Sequence, residues 1–95
     1  MPQPTLESII ASNGGFDNYG NPKSSYVRRV FSMSDAELEK ECEDKIWLAA
    51  YAANNPRSDF HWHVDVCFAV VLSRDADGKM YERAYKRVEE YVRGQ

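Results

Sequence analysis

The sequence predicts a mainly α-helical protein: a three-helix antiparallel bundle over residues 34–95 behind an irregular, loop-rich N-terminal arm over residues 1–33, together a single domain. Three observations predict it. A serine-led capping box opens a segment at Ser34 whose apolar residues recur at helical spacing. Two later segments repeat that spacing, and the connections between them are short and rich in Asn, Pro, Asp and Gly. A chain of 95 residues, 43% hydrophobic and 28% charged, has material for one core only. A (β/α)8 barrel, with its ~250 residues, is excluded by length.

The arm holds three of the four prolines, and its local signals are short. Thr5 can cap one or two helical turns through Ala11, which Asn13-Gly14 would end. Gly14 to Ser25 reads as a turn-rich exposed loop, because Asn18-Tyr19-Gly20-Asn21-Pro22 gathers residues that accept positive φ or fix it. Tyr26 to Phe31 is a short segment that fits extended or helical backbone equally well.

In Ser34-Asp35-Ala36-Glu37 the Ser34 hydroxyl can meet the Glu37 amide while the Glu37 carboxylate reaches back, so a helix begins at Asp35. Leu38, Cys42, Ile46, Ala49 and Ala53 form its apolar stripe, and Asn54-Asn55-Pro56 stops it. Six acidic residues against Lys40 fill its first turns, where they complement the macrodipole and are expected to stay in solvent.

Residues 59–73 carry two patterns. Phe60, Trp62, Val64, Val66 and Phe68 alternate as in a strand, whereas Phe60, Val64, Cys67, Phe68 and Val71 make a helical stripe behind Ser58 as N-cap. Length decides for helix, since an unbroken run of this size far exceeds the usual strand of ~5 to 6 residues. Asp75-Ala76-Asp77-Gly78 then turns the chain, and Lys79 to Arg93 is the third helix, its stripe carried by Met80, Tyr81, Ala84, Tyr85, Val88, Tyr91 and Val92.

The formal net charge of −3 selects neither nucleic acid nor membrane as a partner. The longest apolar run, Val66 to Leu72, is far shorter than the ~20 residues of a membrane span. The N-terminus lacks the basic start and apolar stretch of an export signal, so a cytoplasmic protein is expected. Cys42 and Cys67 then read as reduced thiols buried on apolar stripes, not as a disulfide or a nucleophile.

His61-Trp62-His63-Val64-Asp65 approaches an H-x-H-x-D-H zinc signature, but Val66 stands where the last histidine should. A strand would put His61, His63 and Asp65 on one face, while a helix turns each pair ~200° apart, so no metal is expected. Gly15 to Lys23 fails as a phosphate-binding loop in both spacing and context. With no catalytic set and no cofactor motif, the expectation is a protein that is not an enzyme and works by binding.

Arg57, Asp59, His61, Trp62 and His63, gathered by the polar junction after the first helix, are the candidate partner-binding residues. Arg offers a planar fork of donors and Trp a large rigid face, the side chains most enriched at hot spots. The structural alternative pairs Arg57 with Asp59 and packs Trp62 into the bundle. A second functional reading is a nucleic-acid-contacting regulator that uses Arg28 and Arg29 together with Arg83, Lys86 and Arg87. Glu82, Glu89 and Glu90 dilute that last helix, which favours the protein-binding reading. The sequence leaves the oligomeric state open, a homodimer included.

Ser34 to Val88, above all Asn54-Asn55-Pro56-Arg57-Ser58-Asp59-Phe60-His61-Trp62 and then Tyr81-Glu82-Arg83-Ala84-Tyr85, resembles small uncharacterised proteins of bacteriophage genomes. The resemblance brings no catalytic residue with it. It implies an accessory protein acting in the host cytoplasm, of the kind that inhibits host defence systems by binding a host protein or complex, anti-CRISPR proteins among them.

Overall fold

The computed structural model describes residues 3–94, which form five helices: α1 (Leu6–Ser12), α2 (Lys23–Phe31), α3 (Asp35–Tyr51), α4 (Asp59–Arg74) and α5 (Lys79–Arg93). The mainly helical class is as the sequence predicts, but the three-helix count is too low. Residues 59–73, where strand and helix patterns competed, are helical, and the Ser58 hydroxyl accepts from the Phe60 amide at 3.3 Å. The capping box at Ser34 closes in both directions, with Ser34 N donating to Glu37 Oε1 at 2.9 Å and Glu37 N to Ser34 Oγ at 3.2 Å.

The N-terminal arm is not irregular. Thr5 caps α1 and exchanges hydrogen bonds with Ser8, and α2 follows a loop whose turns are made by Gly15 and Gly20, both at φ 84°. The physical reason is coverage: Ile9 of α1 and Tyr26, Val27 and Val30 of α2 are buried in the same core as Val66, Cys67, Val70 and Val71 of α4. The capped turns expected after Thr5 form α1, whereas α2 has no side-chain cap to announce it. Each is held by the apolar surface it covers.

Leu38, Cys42 and Ile46 bring α3 into that core, and Ala84 and Val88 bring α5. α4 runs back along α3, and α5 returns parallel to α3 after the turn at Gly78, whose φ of 65° a side chain would strain. The parallel register is explicit in the side chains. Arg83 donates to Glu39, Arg87 donates to Glu43, and the Tyr91 ring meets Trp47, each partner 44 residues further along the chain.

Arg74, at the end of α4, fastens the α2–α3 corner. Its Nη2 donates to the carbonyls of Phe31 at 2.9 Å and Met33 at 2.6 Å, and its Nη1 to Asp35 Oδ1 at 2.9 Å. One guanidinium thus serves the orphaned end of one helix and the first-turn acid of the next.

Candidate functional site

Asp59 organises the junction that the sequence singles out. Its carboxylate accepts from the Asn18 amide, at 3.3 Å to Oδ1 and 3.2 Å to Oδ2, and from Trp62 Nε1 at 2.9 Å. Asn18 Nδ2 also donates to the Arg57 carbonyl at 2.8 Å, so the loop before α2 is locked onto the start of α4. Asp59 is therefore spent on this lock and not on the Arg57 guanidinium, which is exposed and has no ion pair among the described residues.

The two histidines of the junction have separate tasks. His61 Nε2 lies 3.1 Å from the Ala52 carbonyl and 2.9 Å from that of Asn55, so it carries the proton and ties the loop after α3 to α4. His63 turns inward against Tyr26, ring centroids 4.2 Å apart, and its Nδ1 is buried without a hydrogen-bond partner. Burial first, and the Lys45 charge after it, lower the His63 pKa to about 4 against the opposing pull of Asp59 and Glu41. The ring is neutral at pH 7. Among the described residues no three His, Cys, Asp or Glu side chains converge as metal ligands, and His61, His63 and Asp65 diverge around α4.

Tyr26 is the hub of this end of the molecule. Its ring meets Trp62 edge-on at 5.4 Å, and its hydroxyl donates to Glu41 Oε2 at 2.7 Å and contacts Cys67 Sγ at 3.5 Å. Burial, then the neighbouring Cys67 and Glu41, push the Tyr26 phenol far up, so it stays a proton donor. Burial raises the Glu41 carboxyl, but the Tyr26 hydroxyl and Lys45, 3.0 Å away, more than offset that and hold it below its usual range. Cations line the outside of the cluster: Lys23 stands 5.1 Å from the Trp62 ring centre and Arg29 stands 5.2 Å from that of Tyr26. Cys42 and Cys67 are free, buried thiols.

Of the acidic run of α3, Asp35, Glu37 and Asp44 stay exposed as expected, whereas Glu39 and Glu43 are drawn against α5, which docks beside them with the opposite charge. Glu39 takes Arg83 at 2.8 Å and Arg87 at 2.6 Å, and Glu43 takes Arg87 at 2.9 Å. The hydrogen bond from Arg83 leads in lowering the Glu39 carboxyl and in raising the Arg83 guanidinium. Two of the three α5 cations offered to nucleic acid are thus occupied within the chain. Lys86 and Arg28 are exposed without an ion pair among the described residues, and Arg29 stacks on Tyr26.

Sequence reasoning passed over Asn18, Tyr26 and the Trp47–Tyr91 pair. The latter was signalled only by the complementarity of the acids at 39 and 43 with the bases at 83 and 87 at one constant offset.

Large apolar side chains remain exposed, and most gather at one end of the bundle. Tyr51 (84% exposed) ends α3, Tyr91 (60%) and Val92 (47%) end α5, and Phe16 (68%) and Tyr19 (87%) project from the loop locked to the start of α4. No helix among the described residues is long and apolar enough to cross a membrane. No family model, no curated protein and no solved structure matches this chain.

Proposed function

We propose that the protein is a non-catalytic protein-interaction module that meets its partner with the end of the bundle where α3 and α5 finish and α4 begins. One observation carries the reading: Phe16, Tyr19, Tyr51 and Tyr91 are all more than half exposed at that end, where Arg57 is also exposed and without an ion pair among the described residues. Rigid aromatics with a neighbouring guanidinium are the side chains from which binding hot spots are made, and exposed apolar clusters mark interaction sites. Asp59, His61 and Trp62 build the platform, and Arg57 and the loop aromatics are presented on it. His63, with Tyr26, packs the platform from below. The likeness to phage proteins, strongest over this junction, supports a host protein or complex as the partner, inhibited by occupation of its surface.

Tagged protein is used to capture the partner from a lysate of the host, beside Tyr19→Ala and Arg57→Ala variants, with thermal midpoints measured in parallel. Each substitution is expected to weaken binding by ~1 kcal/mol or more, about five-fold, while the midpoint holds. Capture unchanged in both variants removes this end of the bundle as the interface. Capture of nucleic acid that fades steeply with salt points instead to the reading based on Arg28, Arg29 and Lys86.

A further inference from the structure

The α3–α5 seam ends in a groove of about 590 Å³ whose walls combine aromatic rings with acid. The Trp47 and Tyr91 rings stand at 88° to each other with centroids 5.3 Å apart, and Tyr51 flanks Trp47 at 6.3 Å. Glu43, Asp44 and Glu90 line the same groove against one cation, Arg87. That cation is neutralised where it stands, because its Nη2 lies 2.6 Å from Glu39 and its Nε 2.9 Å from Glu43. Asp44 is held only by the exposed Lys40 at 3.9 Å, and Glu90 has no ion pair among the described residues.

The face of an aromatic ring attracts a cation, and the Asp44 and Glu90 carboxylates beside the pair deepen that potential. The arrangement suits a cation whose body is apolar. Arg87 already occupies the one place where two carboxylates meet a planar fork. The remaining acids stand singly, which matches a compact ammonium and not a second guanidinium.

We propose that this groove is a binding site for a lysine side chain of the partner, its aliphatic stem along Trp47 and Tyr91 and its ammonium facing Asp44 and Glu90. That the lysine comes from a protein rests on the function proposed above; the cation site itself rests on the seam alone. The groove adds a charge requirement to the aromatic end of the bundle, so the partner surface should be basic where it meets the ends of α3 and α5.

The test uses the purified protein and a capped Gly-Lys-Gly peptide, with the norleucine peptide and choline as comparison ligands. The Trp47 indole N–H is followed by NMR and identified by its absence in Trp47→Phe. A saturable shift with the lysine peptide in the millimolar range is expected, with no shift from the norleucine peptide. Tyr91→Leu and Glu90→Gln should each weaken it by about two- to five-fold. Glu90→Gln, an exposed surface change, keeps the test decisive if Tyr91→Leu disturbs the end of α5. An equal response to norleucine, no saturation, or saturation by choline alone overturns the assignment. Lysine binding that persists while Tyr19→Ala and Arg57→Ala leave partner capture untouched upholds the groove and removes only the interaction surface proposed above.

Discussion

Acidification should destabilise this protein through His63. In the unfolded chain a histidine takes up its proton near pH 6.5, whereas the folded site, with the ring against Tyr26 and Trp62 and the Lys45 charge nearby, holds that event down to about 4. The neutral ring therefore contributes stability that is complete above pH 6.5 and drains away as pH falls toward 4, because only the unfolded state binds the proton in that window. From pH 6.5 to pH 5 the loss is about 2 kcal/mol at ~1.4 kcal/mol per pH unit. The ring is partly exposed, so screening by solvent brings it to about 1 kcal/mol. Glu39 and Glu41 are both held below the ordinary value of 4.5, so their contributions begin to fall only at the bottom of this window. Urea unfolding at pH 7, 6 and 5 measures the effect, with His63→Gln as the comparison chain that lacks the titrating ring. The wild type should lose about 1 kcal/mol more than the variant between pH 7 and 5. Parallel losses in the two proteins would refute the burial argument for this ring.

Two further substitutions test the scaffold. Ser34→Ala removes the acceptor for the Glu37 amide and should cost about 1 kcal/mol in chemical denaturation; an unchanged midpoint would mean the cap is not carrying the start of α3. Arg74→Ala leaves the carbonyls of Phe31 and Met33 and the Asp35 carboxylate without their donor and should cost about 1–3 kcal/mol. Arg74→Lys should recover little of that, since a single ammonium cannot match the fork, and full recovery would count against the geometry described.

The parts of the fold that were legible in the sequence are those fixed within a few residues. The Ser34–Glu37 box closes over one helical turn and the Asp-Gly turn acts through its own backbone preference, whereas α3 ends at Tyr51, ahead of the Asn-Asn-Pro stop, and leaves Ala53 exposed beyond it. Helix over 59–73 could be chosen on length because nothing in the run permits a turn. The helix from Lys23 was hidden because Pro22 offers no side-chain cap and the segment has only two turns; burial of Tyr26, Val27 and Val30 against α4 makes it helical. The candidate site was legible in its membership and not in its division of labour. His61 and His63 are two residues apart, yet one holds a loop and the other enters an aromatic cluster, a difference set by partners 6 to 37 residues away in the chain. The acidic face of α3 misled because charge patterning within one helix says nothing about the helix that docks beside it.

The way α5 is attached has a consequence for how the molecule breathes. Only Ala84 and Val88 of this helix are buried, and the rest of its hold on α3 is the Trp47–Tyr91 ring contact and the surface ladder of Glu39, Glu43, Arg83 and Arg87, whose pairs are worth at most about 1 kcal/mol each in water. Helices 1 to 4 share the remaining eleven buried core residues. Amide protons of α5 should then exchange sooner than those of α3 and α4, and sooner still when salt screens the ladder. Trp47 and Tyr91 form their corner only while α5 is seated. Whatever occupies that corner is drawn from the seated population alone, so each binding event also closes the least secure helix of the protein.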